Sequence, residues 1–156
     1  MRENSQEKIA AFKKQQRLKT LQELVKIKAS WVPKVLLEHL EDSSEEIRNF
    51  IVEALSKRRD VKLHTLHHKL LEGPWYVKSA VLRILSRKKN SSSLPYIEVV
   101  LEDSSSEVRH HAASTLGEIG GKKASELLVR LTKDKNPYVR KKAVEALERA
   151  SSLRFV

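Results

Sequence analysis

The 156-residue chain contains no cysteine, which excludes a disulfide framework, a thiolate metal site and a thiol nucleophile. Glycine is nearly as scarce: of four residues, Gly117, Gly120 and Gly121 gather where one helix is expected to close, leaving little material for a backbone phosphate cradle. Aromatic residues make up only 5%, a composition suited to stacked helices built from Leu, Val, Ile and Ala. Nowhere do about 18 apolar residues run together, so no membrane span is expected. The opening stretch Met1–Lys8 is polar with no apolar segment behind it, which gives no sign of a signal peptide and makes a cytoplasmic protein the expectation. No phosphate loop, nucleophile elbow or spaced pair of catalytic carboxylates is visible. The expectation is a non-enzyme without cofactor or metal.

What is present is a period. The dipeptides Ile47-Arg48, Val77-Lys78, Val108-Arg109 and Val139-Arg140 recur at intervals of 30, 31 and 31 residues. Leucines stand seven residues after each basic position (Leu55, Leu85, Leu116, Leu147) and seven before the first three apolar anchors (Leu40, Leu70, Leu101), with Leu131 displaced by one. Arg17 and Leu24 extend the pattern backwards as a degenerate half-repeat. A unit of this length cannot bury its apolar face alone, so neighbouring copies must stack into a continuous core.

Apolar spacing within a unit is helical: Leu36, Leu37 and Leu40 precede Ile47, Ile51 and Leu55, at steps of three, four or seven. Each unit is therefore two helices. Ser43 and Ser104, each three residues before a glutamate (Glu46, Glu107), fit capping boxes, and Pro74 and Pro137 fit first-turn prolines. Helices are expected near 5–27, 31–41, 44–57, 62–72, 74–87, 93–102, 105–119, 123–133 and 137–150. This gives an all-α, right-handed solenoid of about four helical hairpins: a basic N-terminal cap over 1–28, repeats over 29–150 in one domain with the cap, and a tail over 151–156. Its second helices are expected to line a concave side.

An acidic residue six positions before each basic one (Asp42 and Arg48, Glu72 and Lys78, Asp103 and Arg109, Asp134 and Arg140), with a valine or isoleucine between, resembles the HEAT repeat. The stretch from Val108 to Gly120 is similar to the bacterial subtype named after phycobilisome lyases. Pro95 matches the family's first-helix proline, and Pro33 lies one place off. The resemblance covers roughly 30–150 and implies a fold rather than a reaction. It also implies that these acidic and basic residues form a structural ladder of ion pairs, each basic side chain with the acid of its own preceding turn. Deoxyhypusine hydroxylase, an enzyme built of such repeats, binds two irons through repeated His-Glu pairs. Here those places read His110-His111, Asn49-Phe50, Ser79-Ala80 and Lys141-Lys142, so that activity is not expected. The DNA-alkylation-repair relatives use aromatics and a carboxylate around an exposed base. Trp31, Trp75 and Tyr76 are present, but Trp75 and Tyr76 stand at a helix start where packing against the neighbouring turn is expected, and no carboxylate is spaced beside them.

The formal net charge is +11, a field that attracts nucleic acid, anionic lipid or acidic protein surfaces. Basic residues run along the first helix (Lys8, Lys13, Lys14, Arg17, Lys19, Lys26, Lys28), and two triplets, Lys57-Arg58-Arg59 and Arg87-Lys88-Lys89, end successive second helices. Stacking would bring these triplets onto one rim, with Arg140-Lys141-Lys142 opening the last helix. Lys57, Arg58, Arg59, Arg87, Lys88, Lys89, Lys141 and Lys142 are accordingly the candidate partner- or polyanion-binding residues. Basic groups at helix C-termini also simply complement the macrodipole. His64 and His68 share one helix face, but no third ligand is evident, so no metal site is expected. The sequence thus points to a protein-binding scaffold or adaptor, with nucleic-acid or other polyanion binding as the alternative.

Overall fold

Helical periodicity becomes helix throughout the computed structural model, which describes residues 2–152, with side chains from 6 to 150. The remainder of the expected tail lies outside the described residues. Two compact units are formed, Met1–Val61 and Lys62–Val156.

In the first unit, α1 (Arg2–Leu24) precedes a helical hairpin of α2 (Val32–Glu38) and α3 (Glu45–Lys57). Pro33 stands in the first turn of α2, where its missing N–H costs nothing. The expected helix over 31–41 divides, because its last turn tightens to a 3-10 turn at His39–Glu41 that keeps Leu40 buried. Ile47, Ile51, Val52 and Leu55 form the buried face of α3. From α1, which is polar along most of its length, Leu21 enters this core.

The second unit contains α4 (Leu63–Glu72), α5 (Trp75–Lys88), α6 (Leu94–Val99), α7 (Ser106–Ile119), α8 (Gly121–Leu131) and α9 (Pro137–Ser152). Its first helices α4, α6 and α8 lie in one row and its second helices α5, α7 and α9 in another, each hairpin bridging the two. The core between the rows is Leu66, Leu70, Val77, Val81, Ile84, Leu85, Ile97, Val108, Leu116, Leu127, Leu128 and Val139. The helix expected over 93–102 also ends in a 3-10 turn, at Val100–Glu102.

Several local expectations are corrected. Ser43 and Ser104 are not the helix caps: the N-cap positions are Ser44 and Ser105, and neither makes a side-chain cap bond. The aspartate two residues earlier does the work instead, because Asp42 Oδ1 accepts the Ser44 N–H at 2.8 Å and Asp103 Oδ1 the Ser105 N–H at 2.9 Å, the Asx-turn geometry that pins a chain entering a helix. Pro74 is itself the N-cap residue, with α5 starting at Trp75.

Gly117 does not close α7 but lies inside its last turn, where a Cβ would come 2.8 Å from the Cβ of Ala146 on α9. The two helices approach here closely enough that only hydrogen fits. Gly117→Val is therefore expected to destabilise the protein by about 1–3 kcal/mol through overpacking, measured as a lower denaturant midpoint. An unchanged midpoint would show that α7 and α9 can separate freely.

Candidate interaction surface

Each aspartate at an inter-helix turn has three bonding directions, and the repeat uses all of them. Asp134 Oδ1 accepts the Asn136 N–H at 2.8 Å, while Asn136 Oδ1 caps the Tyr138 N–H at 2.9 Å. The Asp134 carboxylate receives Arg109 Nε at 2.7 Å and Nη2 at 3.0 Å. The Asp134 carbonyl accepts Arg140 Nη1 at 2.7 Å. The same set recurs with Asp42, whose carboxylate takes Arg17 at 2.7 and 3.2 Å and whose carbonyl takes Arg48 at 2.7 Å. Around Asp103, Lys78 reaches the carboxylate at 2.8 Å and Arg109 the carbonyl at 2.7 Å.

The ladder therefore differs from the pairing expected from spacing. Six residues separate a basic side chain from the acid of its own turn, and across that distance Arg48, Arg109 and Arg140 bond the acid's backbone carbonyl. The carboxylate partner lies 25 residues downstream of its basic residue, in the next hairpin. Lys78 likewise goes to Asp103, while Glu72 meets His68 at 3.3 Å. The physical reason is direction: the Asx turn aims the carboxylate back towards the preceding repeat and leaves the carbonyl facing its own helix.

Arg109 shows the complete pattern. Nη1 donates to the carbonyls of Asp103 and Ser104 at 2.7 and 3.2 Å, the opposite edge grips Asp134, and only 4% of the residue is exposed. It lines a cleft of about 260 Å³ together with Asp103, Asp134, Arg130 and Lys133. Arg130 in turn holds Glu98 at 2.8 Å and Glu102 at 3.3 Å.

These partners hold the carboxyls below their ordinary range. For Asp134 the leading cause is the hydrogen bond from Arg109, which outweighs burial. For Asp42 and Asp103 burial alone would raise the value, but the bonds from Arg17 and Lys78, the turn N–H groups and the adjacent positive charge lower it overall. His67, His110 and His111 are shifted down, chiefly because burial disfavours their charged form. A depressed carboxyl stabilises the fold above the unfolded-state value, and a depressed histidine does so above its own. Stability should thus fall in two stages on acidification, first as pH drops through about 6.5 and again below about 4. Denaturant midpoints against pH test this, with Asp134→Asn expected to shrink the lower stage. Stability that rises on acidification would contradict it.

The candidate basic residues are spread across both units and differ in availability. Arg58 is mostly enclosed: it grips Asp60 at 2.7 and 2.9 Å and reaches the carbonyls of Val25, Ile27 and Ala29 at 3.2–3.4 Å, tying the segment after α1 to the end of α3. Lys89 caps α5 in the left-handed conformation at φ 48° and pairs with Glu118 at 2.8 Å. Lys142 pairs with Glu145 at 2.9 Å, and Arg87 and Lys88 also have partners. Lys57, Arg59 and Lys141 are exposed, with no carboxylate bound to them among the described residues. Lys57–Arg59 belong to the first unit and Arg87–Lys89 to the second.

His67 Nε2 lies 2.9 Å from Ser93 Oγ and the ring stacks on Tyr96 at 3.9 Å, so it is a packed core residue set apart from the exposed His64 and His68. Among the described residues no three potential ligands converge on one point, and no helix is long and apolar enough to cross a membrane. Trp75 meets Tyr76 edge-on at 5.8 Å but stays about half exposed, contrary to the packing expected for it. Two features escape the sequence reading: the anchoring role of Arg58, and the exposed apolar residues Tyr138 and Val144 on α9.

The family model described as HEAT repeats matches residues 63–148. No curated protein matches the chain in sequence. Among solved structures, an engineered protein from a structural genomics consortium superposes with a TM-score of 0.53 at 20% identity, covering 78% of this chain and 63% of its own. The chain thus spans less than two thirds of that protein's length. A designed armadillo repeat protein, in complex with the peptide (KR)4, gives a TM-score of 0.52 at 18% identity, covering 90% of this chain and 82% of its own. These likenesses concern the fold: an all-α solenoid of helical repeats.

Proposed function

Because the chain belongs to the HEAT-repeat family, we propose that it is a non-enzymatic scaffold or adaptor that binds a protein partner on the surface of its helical rows. One observation carries this reading. In the basic triplets Arg58, Lys89 and Lys142 already hold carboxylates and Arg140 holds carbonyls, each within its own unit, while large apolar side chains on second helices stay exposed, Trp75 on α5 and Tyr138 and Val144 on α9. That balance favours a protein surface over a phosphate backbone, which would need unengaged cations. Within the family, the stretch Val108–Gly120 favours the phycobilisome-lyase-type subgroup. A cap over 1–28, repeats over 29–150, a tail over 151–156 and a cytoplasmic location complete the proposal.

The test is capture from nuclease-treated extract at moderate salt, beside a salt titration of duplex DNA binding. Retained protein partners, with weak DNA binding that falls steeply with salt, support the scaffold. Tight DNA binding at moderate salt without any captured protein overturns it in favour of a polyanion-binding role.

A further inference from the structure

In the second unit, row packing gives α5 and α7 each a face that receives the next second helix. On α7 it begins at Arg109 and continues through Ala113 to Gly117, which meets Ala146 of α9. On α5 the corresponding residues are Lys78 and Leu82, and the Leu82 carbonyl lies 3.0 Å from the Thr115 hydroxyl of α7. Leu82 and Ala113 are completely buried by these neighbours. On α9 the same places hold Arg140 and Val144, and Val144 is 45% exposed.

Arg140 is held ready. Its Nη1 donates to the carbonyls of Asp134 and Lys135 at 2.7 and 3.1 Å, reproducing the grip of Arg109 on Asp103 and Ser104 at 2.7 and 3.2 Å. In Arg109 the other edge of the guanidinium takes an aspartate in two bonds. In Arg140 that edge meets no carboxylate among the described residues. Exposed Lys133, Lys135 and Lys141 surround it. The face thus combines a pre-oriented carboxylate clamp, an adjoining apolar side chain and local positive charge.

We propose that this α9 face docks an acidic helical segment of another protein, with an aspartate just ahead of the helix gripped by Arg140 and an apolar residue of the helix lying on Val144. The arrangement repeats across the partner boundary the contact that joins successive hairpins inside the chain. It rests on the scaffold reading and names both the surface and the chemistry of the partner.

The probe is a labelled alanine-based helical peptide of about 16 residues that opens Asp-Ser-Ser and carries leucines at helical spacing. Binding to the full chain is followed by fluorescence anisotropy and by amide shift changes. Shifts should centre on the first two turns of α9, and either Arg140→Gln or an asparagine in place of the peptide's aspartate should weaken binding by about tenfold. The two changes together should cost no more than either alone, as expected for direct partners. The melting temperature of Arg140→Gln should match the parent's. No binding, equal binding of the two peptides, or shifts away from α9 would overturn the docking site. So would duplex DNA occupying α9 through Arg140 while the peptide does not bind. A protein partner captured equally by the parent and Arg140→Gln would retain the scaffold and reject this face, whereas loss of the scaffold reading itself is read from the capture experiment.

Discussion

Replacing Arg109 with methionine should destabilise the protein by about 3–5 kcal/mol, the range found when one partner of a buried ion pair is removed. Arg109 bonds two successive turns, with Asp103 and Ser104 on one side and Asp134 on the other. Its loss leaves the Asp134 carboxylate enclosed without its cation, retaining the Asn136 N–H. Arg140→Met is the matched comparison, since it removes the same side chain from the same place in the repeat. Because Arg140 is exposed and grips only carbonyls, the cost there should stay under about 1 kcal/mol. Chemical denaturation of the two variants measures the difference. Equal effects would mean that the clamp between turns contributes nothing beyond an ordinary surface arginine.

Leu116→Ala should cost about 2–5 kcal/mol, and Leu55→Ala and Leu85→Ala the same. All three are at most 1% exposed, so truncation removes buried methyl groups and leaves a cavity that close-packed neighbours cannot fill. Leu147 occupies the same column but is only half-buried on α9, and Leu147→Ala should cost clearly less. A single common value for all four in denaturant melts would contradict the register, because burial would then have no bearing on the column.

The period and the helices were legible because apolar side chains obey a local rule: a residue at Val108, Ala112 or Leu116 must face inward whatever lies beyond. Helix limits followed to within a few residues for the same reason. The ladder was legible in its members but not in its bonds. Asp103 and Arg109 are close in sequence and opposite in charge, yet the carboxylate of Asp103 belongs to Lys78; choosing between them requires the direction of an Asx turn and the offset between stacked hairpins. A signal was available, since a period of 31 less a spacing of six gives the observed 25. Arg58 had no such signal. Its carbonyl partners follow α1 in an irregular segment that carries no repeat pattern. The availability of the basic triplets was equally hidden, because partners such as Glu118 for Lys89 lie about one repeat away and depend on side-chain reach.

The 25-residue reach of the ladder also bears on how such a chain can change length over evolutionary time. Each clamp joins a basic residue to the acid of the hairpin that follows, and Lys78–Asp103 and Arg109–Asp134 are copies displaced by one whole period. A gene duplication that inserts 31 residues at any point between Arg109 and Arg140 would give every old and new aspartate an arginine or lysine upstream at the correct distance. Cutting and joining within the array then needs no compensating substitution, because each inserted hairpin brings both the aspartate that the preceding basic residue grips and the basic residue that grips the following aspartate.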